Sequence, residues 1–524
     1  MSLPRVTYSN INADFSAVHA HFDKVLEDVR KNVLGQRRDH LIGGAKVQGG
    51  AEAEANSPVD HRVTICRYGI ADEALVTRAI DAAKAAAPGW AGLPWQDRVQ
   101  AVRRFADVLD ARKYELAAAC LYEVGKSRME AIGEAEEAVD LARYYCDQIE
   151  ENNGFIRKMA RAFENEETLD RLRPLGVVAV IAPFNFPLAL SVNMASAAMI
   201  AGNTVVYKPS DAAALTGALL ADAAVEAGLP DGVFNMVTGD ASTGRTLAGH
   251  AEIDAVAFTG SHEVGMGILR DVAAGRHNRP VIAEMGGKNP TYVTQSADLE
   301  VAAQGVMRSA FGLQGQKCSA GSKVYVAARV YDAFLEKVIA RAKAIRIGDP
   351  ADADVFMGPV IDEAAVARFE KAAEEARRDG AIAYGGTRLT EGALSHGSFV
   401  APTIVTDLPT GHRLHKDELF LPFVTIQRYE TLQDAIADGN AVDYGLTAGI
   451  YTREKADLEL FTERAEAGAL YANRASGATT GAWPGIQTFC GWKGSGVTSK
   501  GGLGPYYLQQ YMREQSLTLW HDEG

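Results

Sequence analysis

Cys318 lies in GQKCSAGSK, residues 315–323, among Gly, Gln, Lys and Ser instead of apolar neighbours. Reactive thiols sit in polar, often electropositive surroundings, whereas inert ones pack among hydrocarbons. Taken alone, Cys318 admits either reading; Cys66, Cys120 and Cys146 read as space-filling. Glu284 opens EMGGK, residues 284–288, at the end of a predicted strand. A carboxylate there either faces a crevice or pairs with Lys288. Asn185 sits in APFNFP, residues 182–187, at another strand end, as a turn former or as an amide donor aimed at a ligand. FTGSHEVG, residues 258–265, follows a strand and opens a helix. Its Gly260 and Gly265 allow close backbone approach to a ligand, and free N–H groups at a helix start attract a pyrophosphate. Any βα turn with two glycines has this form, so it acquires meaning only with the others. A thiol nucleophile, a carboxylate base, an amide donor and a dinucleotide turn are the parts needed to oxidise an aldehyde.

Something must hold these groups together. Beyond Leu175 the sequence alternates between near-continuous apolar runs and helical stretches: VVAVIAP, NTVVYKP, GVFNMVTG, DAVAFTGS and RPVIAEMGG, with AAALTGALLADAAVEAG between two of them. That texture predicts a parallel sheet covered on both faces. A second α/β set runs from about 289 to 473 and includes SKVYVAAR, TAGIYTR and GALYAN. Upstream, residues 12–34 read as an amphipathic helix, HLIGG as a short strand, and the Ala/Glu-rich stretch after it as a loop. Residues 72–147 read as about three packed helices, broken at Pro88-Gly89 and near Gly125.

Composition narrows the function. The 524 residues carry 53 Lys+Arg against 67 Asp+Glu, a net charge of −14, which argues against a protein that grips nucleic acid or anionic lipid. Five scattered cysteines without a CxxC pair give neither a disulfide framework nor a zinc site, and no metal is expected. They suit a reducing cytoplasm, and no secretory signal is visible at the amino terminus. The uncharged stretch between Arg173 and Lys208 is interrupted by Pro183, Asn185, Pro187, Asn193 and Asn203, and reads as strand, loop and helix, not a membrane span. GxxxxGK[ST], HExxH, GxSxG and GxGxxG motifs are absent where they would carry meaning.

The order PFNFP, KPSD, FTGSxxxG, EMGGK, GQKCS and ELF resembles the aldehyde dehydrogenase superfamily from about residue 40 to the carboxy terminus. The resemblance implies an α/β fold with a Rossmann-type NAD-binding domain (1–154 and 173–285), a catalytic domain (286–490) and an oligomerisation flap with the C-terminal segment (155–172 and 491–524). It implies Cys318 as nucleophile, Asn185 and the Cys318 N–H as oxyanion donors, and Glu284 as the base that activates water. Lys208, Ser210 and Asp211 would then serve the adenosine ribose, Gly260, Ser261 and Gly265 the pyrophosphate turn, and Glu418 and Phe420 the nicotinamide ribose and ring. Asp211 favours NAD over NADP by repelling an extra phosphate. ELFLPF places Leu421 where the family carries Gly.

Within the superfamily, TTGAWPGIQTF, residues 479–489, is similar to the anchor loop of L-glutamate γ-semialdehyde dehydrogenases. The resemblance implies Ser319, Gly481 and Ala482 at the substrate α-carboxylate, Glu137 at its amine, and Phe186 and Phe489 beside the aliphatic chain. The bland alternatives are a flexible turn for Gly481-Ala482 and a solvated helix carboxylate for Glu137. About three residues are inserted before Thr480, and the usual PFGG is TFCG, which sets Cys490 beside the loop. Other aldehydes, or a binding protein without turnover, are the competing functions. A flap hairpin from residues near 155 to 172, paired with a terminal strand at 516–520, predicts a homodimer or dimer of dimers.

Overall fold

The structure, a computed structural model, describes residues 3–7, 10, 13–275, 277–475 and 482–521. Its first seven-stranded sheet runs Val281–Glu284, Ala255–Thr259, Val177–Ile181, Thr204–Lys208 and Phe234–Met236, all parallel, then His40–Ile42 and Ala45–Val47 antiparallel at one edge. The five parallel strands are buried at every position, as the uninterrupted apolar runs require. Strand order reverses between Val177–Ile181 and Ala255–Thr259. The loops APFNFP and FTGS therefore flank a topological switch point, where parallel sheets open a crevice.

The second sheet runs Ala381–Tyr384, Thr403–Thr406, Phe423–Tyr429, Gly321–Ala327, Asn289–Val293, Thr447–Tyr451 and Ala469–Ala472, with only the first strand antiparallel. A three-stranded sheet pairs Glu166–Pro174 with Ile156–Lys158 on one side and Met512–Trp520 on the other, so the predicted flap strand starts four residues earlier than expected. Among the described residues no helix is long and apolar enough to cross a membrane.

Three local expectations need correction. The segment 72–151 forms four helices, Glu73–Gly92, Trp95–Ala111, Lys113–Val124 and Arg128–Glu151. Pro88 lies inside the first of them instead of breaking it, on a face where Lys84, Pro88 and Gly89 are exposed and the lost backbone bond meets solvent. The real break is at Leu93-Pro94. Gly125 does end a helix, in the left-handed conformation (φ +74°). The Ala/Glu stretch is a strand, Ala51–Asn56, held antiparallel to Thr64–Ile70 despite its low β-propensity. The amino-terminal helix spans Ser16–Asn32, shorter than expected at both ends.

Candidate active site

Cys318 sits where two cavities meet. One is a cleft of about 790 Å³ that also touches Asn185, Ser210, Gly260, Ser261, Glu418 and Phe420. The other is a chamber of about 80 Å³ that also touches Glu137, Phe186, Glu284, Ser319, Ala482 and Phe489. Residues far apart in sequence thus converge on one sulfur from opposite sides.

Glycine pairs make the convergence possible. A Cβ on Gly286 would lie 1.9 Å from the Glu418 carboxylate, and one on Gly287 would lie 2.6 Å from the Cys318 carbonyl oxygen. The Gly287 N–H donates to Glu418 Oε1 at 2.8 Å, so the EMGGK turn pins Glu418 although Leu421 follows in place of the family's glycine. Asn289, at the start of the next strand, donates from Nδ2 to the Cys318 carbonyl at 2.8 Å and the Ala320 carbonyl at 2.9 Å. Upstream, Leu313 and Gln314 hold positive φ values of 46° and 56°. Such backbone costs on the order of 1–3 kcal/mol per residue and persists only where contacts enforce it. Here Gln314 Nε2 donates to the carbonyls of Gly125 and Pro359, both at 2.8 Å, and the Leu313 N–H donates to Glu130. Glu130 also pairs with Lys317 at 2.6 Å, one residue from the thiol.

Burial pushes the Cys318 thiol up, and the Glu418 and Glu284 carboxylates add to the rise, so the resting sulfur is protonated and needs a base. Glu284, the last residue of its strand and 8% exposed, is pushed up to about 7 by burial, against the lowering effect of the Gly502 N–H that donates to Oε1 at 2.8 Å. A carboxyl near 7 exchanges protons at neutral pH. Burial likewise raises Glu418 to about 7, opposed by the Gly287 N–H and Lys288.

The remaining expected cofactor residues lie at the C-terminal edge of the first sheet but do not all reach the cleft. Ser261 caps the helix His262–Ala273 through the Val264 N–H, beside Gly260, which lines the cleft and where a Cβ would lie 2.5 Å from the Phe258 ring. Lys208 ends its strand and donates from Nζ to the Pro209 carbonyl, while exposed Asp211 accepts from the Ala212 N–H; neither lines the cleft. Gly265 meets protein instead of a ligand: a Cβ there would lie 2.5 Å from Met285 Sδ, so the glycine seats the helix on the sheet. Gly481 lies outside the described residues.

Three features had no signal in single motifs. The backbone of Gly502, 218 residues from Glu284, holds the base. Lys126 and Glu134, both fully buried, form an ion pair beneath Phe186, with the ammonium 3.6 Å from the ring centre. Glu134 also accepts the N–H groups of Leu188 and Ala189, fixing the loop that carries Asn185 and Phe186. Finally, Phe184 meets Phe420 edge to face at 5.8 Å across the cleft.

The chain matches the aldehyde dehydrogenase family over residues 46–517. It is 35% identical to 1-pyrroline-5-carboxylate dehydrogenase 1 of Halalkalibacterium halodurans, over 95% of each chain. A Thermus 1-pyrroline-5-carboxylate dehydrogenase with bound NAD is similar in structure, with a TM-score of 0.93, 31% identity and 99% coverage of both chains. Proline utilization A from Bdellovibrio bacteriovorus is similar at a TM-score of 0.91 and 34% identity, covering 97% of this chain and 52% of that one. With a family model matched over most of its length and relatives of about 35% identity, the chain belongs to the aldehyde dehydrogenase family.

Proposed function

We propose that the protein oxidises L-glutamate γ-semialdehyde, the open form of 1-pyrroline-5-carboxylate, to L-glutamate with NAD, as a step of proline catabolism. The observation that carries this reading is Cys318 at the junction of a long cleft and a short chamber whose walls offer Ser319, Ala482 and Glu137. An aldehyde in the chamber presents its carbon to the sulfur while its far end reaches those groups.

The cleft fits a dinucleotide by its donors and acceptors. Glu418, held by Gly287, is an acceptor for ribose hydroxyls; Phe420 and Phe184 offer ring faces and edges; Gly260, Ser261 and the helix behind them suit a pyrophosphate. Lys208, Ser210 and Asp211 stand at the same sheet edge for the adenosine ribose. Held there, NAD would supply the acceptor for the hydride that leaves the thiohemiacetal carbon.

The chain's own residues do the rest. Glu284 takes the thiol proton, and the Cys318 thiolate adds to the carbonyl carbon. Asn185 and the Cys318 N–H hold the oxyanion. After the hydride has left, Cys318 carries a thioester; Glu284, having released the thiol proton to solvent, takes a proton from the water that attacks the thioester and passes it to the departing sulfur, so that the acid leaves and the thiol is restored. Ser319, Gly481 and Ala482 hold the α-carboxylate, Glu137 the amine, and Phe186 and Phe489 flank the methylenes. The domain division follows the two large sheets, with the flap as an oligomerisation element: its edge strand is exposed from Arg513 on apart from half-buried Leu517, and the side chains of Phe163, Met159 and Ile156 are exposed, which suits a dimer or dimer of dimers. Five free cysteines suit a cytoplasmic enzyme.

Rapid acid quench with peptide mass analysis tests the chemistry. The expected result is an acyl adduct on Cys318 that accumulates when Glu284 is replaced by Gln; an adduct on Cys490, or none, overturns the assignment.

A further inference from the structure

The loop that ends the chamber carries a turn whose attachments belong to no part of the catalytic machinery. Trp483, 8% exposed, donates its indole N–H to Asp140 Oδ2 at 2.8 Å. That same oxygen receives Arg5 Nη2 at 2.8 Å, and Arg5 Nε reaches Glu136 at 3.1 Å. Arg5 is itself anchored, because the next residue, Val6, is fully buried in the main core. The turn closes on itself through the Ile486 and Gln487 N–H groups, which donate to the Trp483 carbonyl. It is tied down twice more: Gln487 Nε2 donates to the Leu470 carbonyl at 2.9 Å, and the Gly485 N–H to the Leu503 carbonyl at 3.1 Å. Gly485 has φ +73°, and a Cβ there would touch the Tyr144 ring at 3.2 Å.

The turn is flanked by chamber residues. Ala482 precedes it and Phe489 follows two residues after it, while Glu137 sits on the helix Arg128–Glu151 between Glu136 and Asp140. Adjacent Cα atoms are held about 3.8 Å apart, so fixing Trp483 confines Ala482 to within that distance of it.

We propose that Arg5, Asp140 and Trp483 form a latch that sets the position of Ala482 and so the chamber's fit to a carboxylate-bearing aldehyde. Trp483 and Asp140 are positioning residues for specificity, and the amino-terminal segment is their strut. The inference rests on the chamber being the aldehyde's site. The three members differ in weight. Arg5 is half exposed, so its pairing contributes little. The indole bond to a charged acceptor is the stronger link, and losing it leaves a largely buried group without its partner.

The test uses full-length protein with Trp483→Phe, Asp140→Ala, Asp140→Asn, Arg5→Ala and Arg5→Lys. Hydrogen exchange of the peptide 482–489 is read first, since it does not depend on substrate. Exchange is expected to rise about tenfold in Trp483→Phe and Asp140→Ala and about threefold in Arg5→Ala and in Asp140→Asn, which keeps an oxygen acceptor but loses the charge, with Arg5→Lys near wild type. In steady state, KM for the semialdehyde is expected to rise in the same order with kcat within twofold, and KM for propanal to stay unchanged. Unchanged exchange in Trp483→Phe and Asp140→Ala overturns the latch. Faster exchange without a change in KM, or an equal loss of kcat for both aldehydes, overturns its role in specificity. If the wild type does not prefer the semialdehyde to propanal, the substrate reading fails instead, and the latch is judged by exchange and by KM for the better aldehyde.

Discussion

Replacing Glu284 by Gln separates the chemistry of this site from its stability, and the structure sets the size of both effects. The substitution keeps the side chain's shape and an oxygen to accept the Gly502 N–H. It removes a base whose carboxyl titrates at about 7 because of burial. Only the ionised form takes a proton, so wild-type turnover rises with pH through about 7 and is about tenfold lower at pH 6 than at pH 8. The Gln variant is expected to lose this limb and about 10²–10⁴ of the steady-state rate. Its first turnover is slowed as well, because Glu284 also takes the thiol proton, but a thiol is a far stronger acid than water, so up to one equivalent of NADH per thiol still forms before the variant stalls at the thioester.

Stability moves in the opposite direction. A carboxyl whose folded pKa is raised from 4.5 to about 7 supports the fold fully when protonated, below pH 4.5, and that support is lost as pH rises through about 7. The loss amounts to about 3 kcal/mol at pH 8. A neutral Gln avoids it. For 524 residues, with an unfolding entropy of about 1.1 kcal/mol/K, the variant is expected to melt about 3 °C above wild type at pH 8 and level with it at pH 4.5. Paired melts by scanning calorimetry and stopped-flow absorbance at 340 nm read both effects. A variant that keeps the limb near pH 7, or that gains no stability at pH 8, refutes the assignment of a buried, poised base.

Other perturbations follow from the same geometry. Gly286→Ala places a methyl 1.9 Å from the Glu418 carboxylate and is expected to raise KM for NAD at least about tenfold with a smaller change in kcat, read by initial rates. Lys126→Ala leaves Glu134 buried without its partner and is expected to destabilise by about 3–5 kcal/mol, whereas the double replacement Lys126→Met with Glu134→Leu recovers part of the loss, both read by urea unfolding. Gly265→Ala drives a methyl against Met285 and Phe258 at the seat of the helix, and is expected to cost about 1–3 kcal/mol by the same assay.

What the sequence revealed follows from how locally each feature is encoded. Parallel strands such as Val177–Ile181 and Ala255–Thr259 are buried on both faces, so their apolar runs stand out, and the loops after them carried Asn185 and Ser261 into view. Ala51–Asn56 escaped because Ala and Glu are poor strand formers, and only its partner Thr64–Ile70 makes it a strand. Pro88 misled because its exposure, invisible in the sequence, decides whether a proline breaks a helix or bends it. In the site, side-chain type and setting left Cys318 and Glu284 with two readings each, and only the order of the motifs singled them out. The Gly502 N–H that holds Glu284 was not legible, since a backbone donor leaves no residue-type signature and its glycine stood among others in SKGGLG. The paired glycines of EMGGK were visible as a turn, but their use in admitting Glu418 and the Cys318 carbonyl required coordinates.

The most direct measurement is NADH formation by the purified protein with L-glutamate γ-semialdehyde, hexanal and benzaldehyde, each over a concentration range, with Cys318→Ala as blank. A chamber built to hold a carboxylate and an amine predicts kcat/KM for the semialdehyde at least about 10²-fold above both plain aldehydes, and no signal from the blank. Equal or better turnover of hexanal or benzaldehyde would contradict the substrate assignment while leaving the thiol chemistry standing; activity in the blank would contradict both.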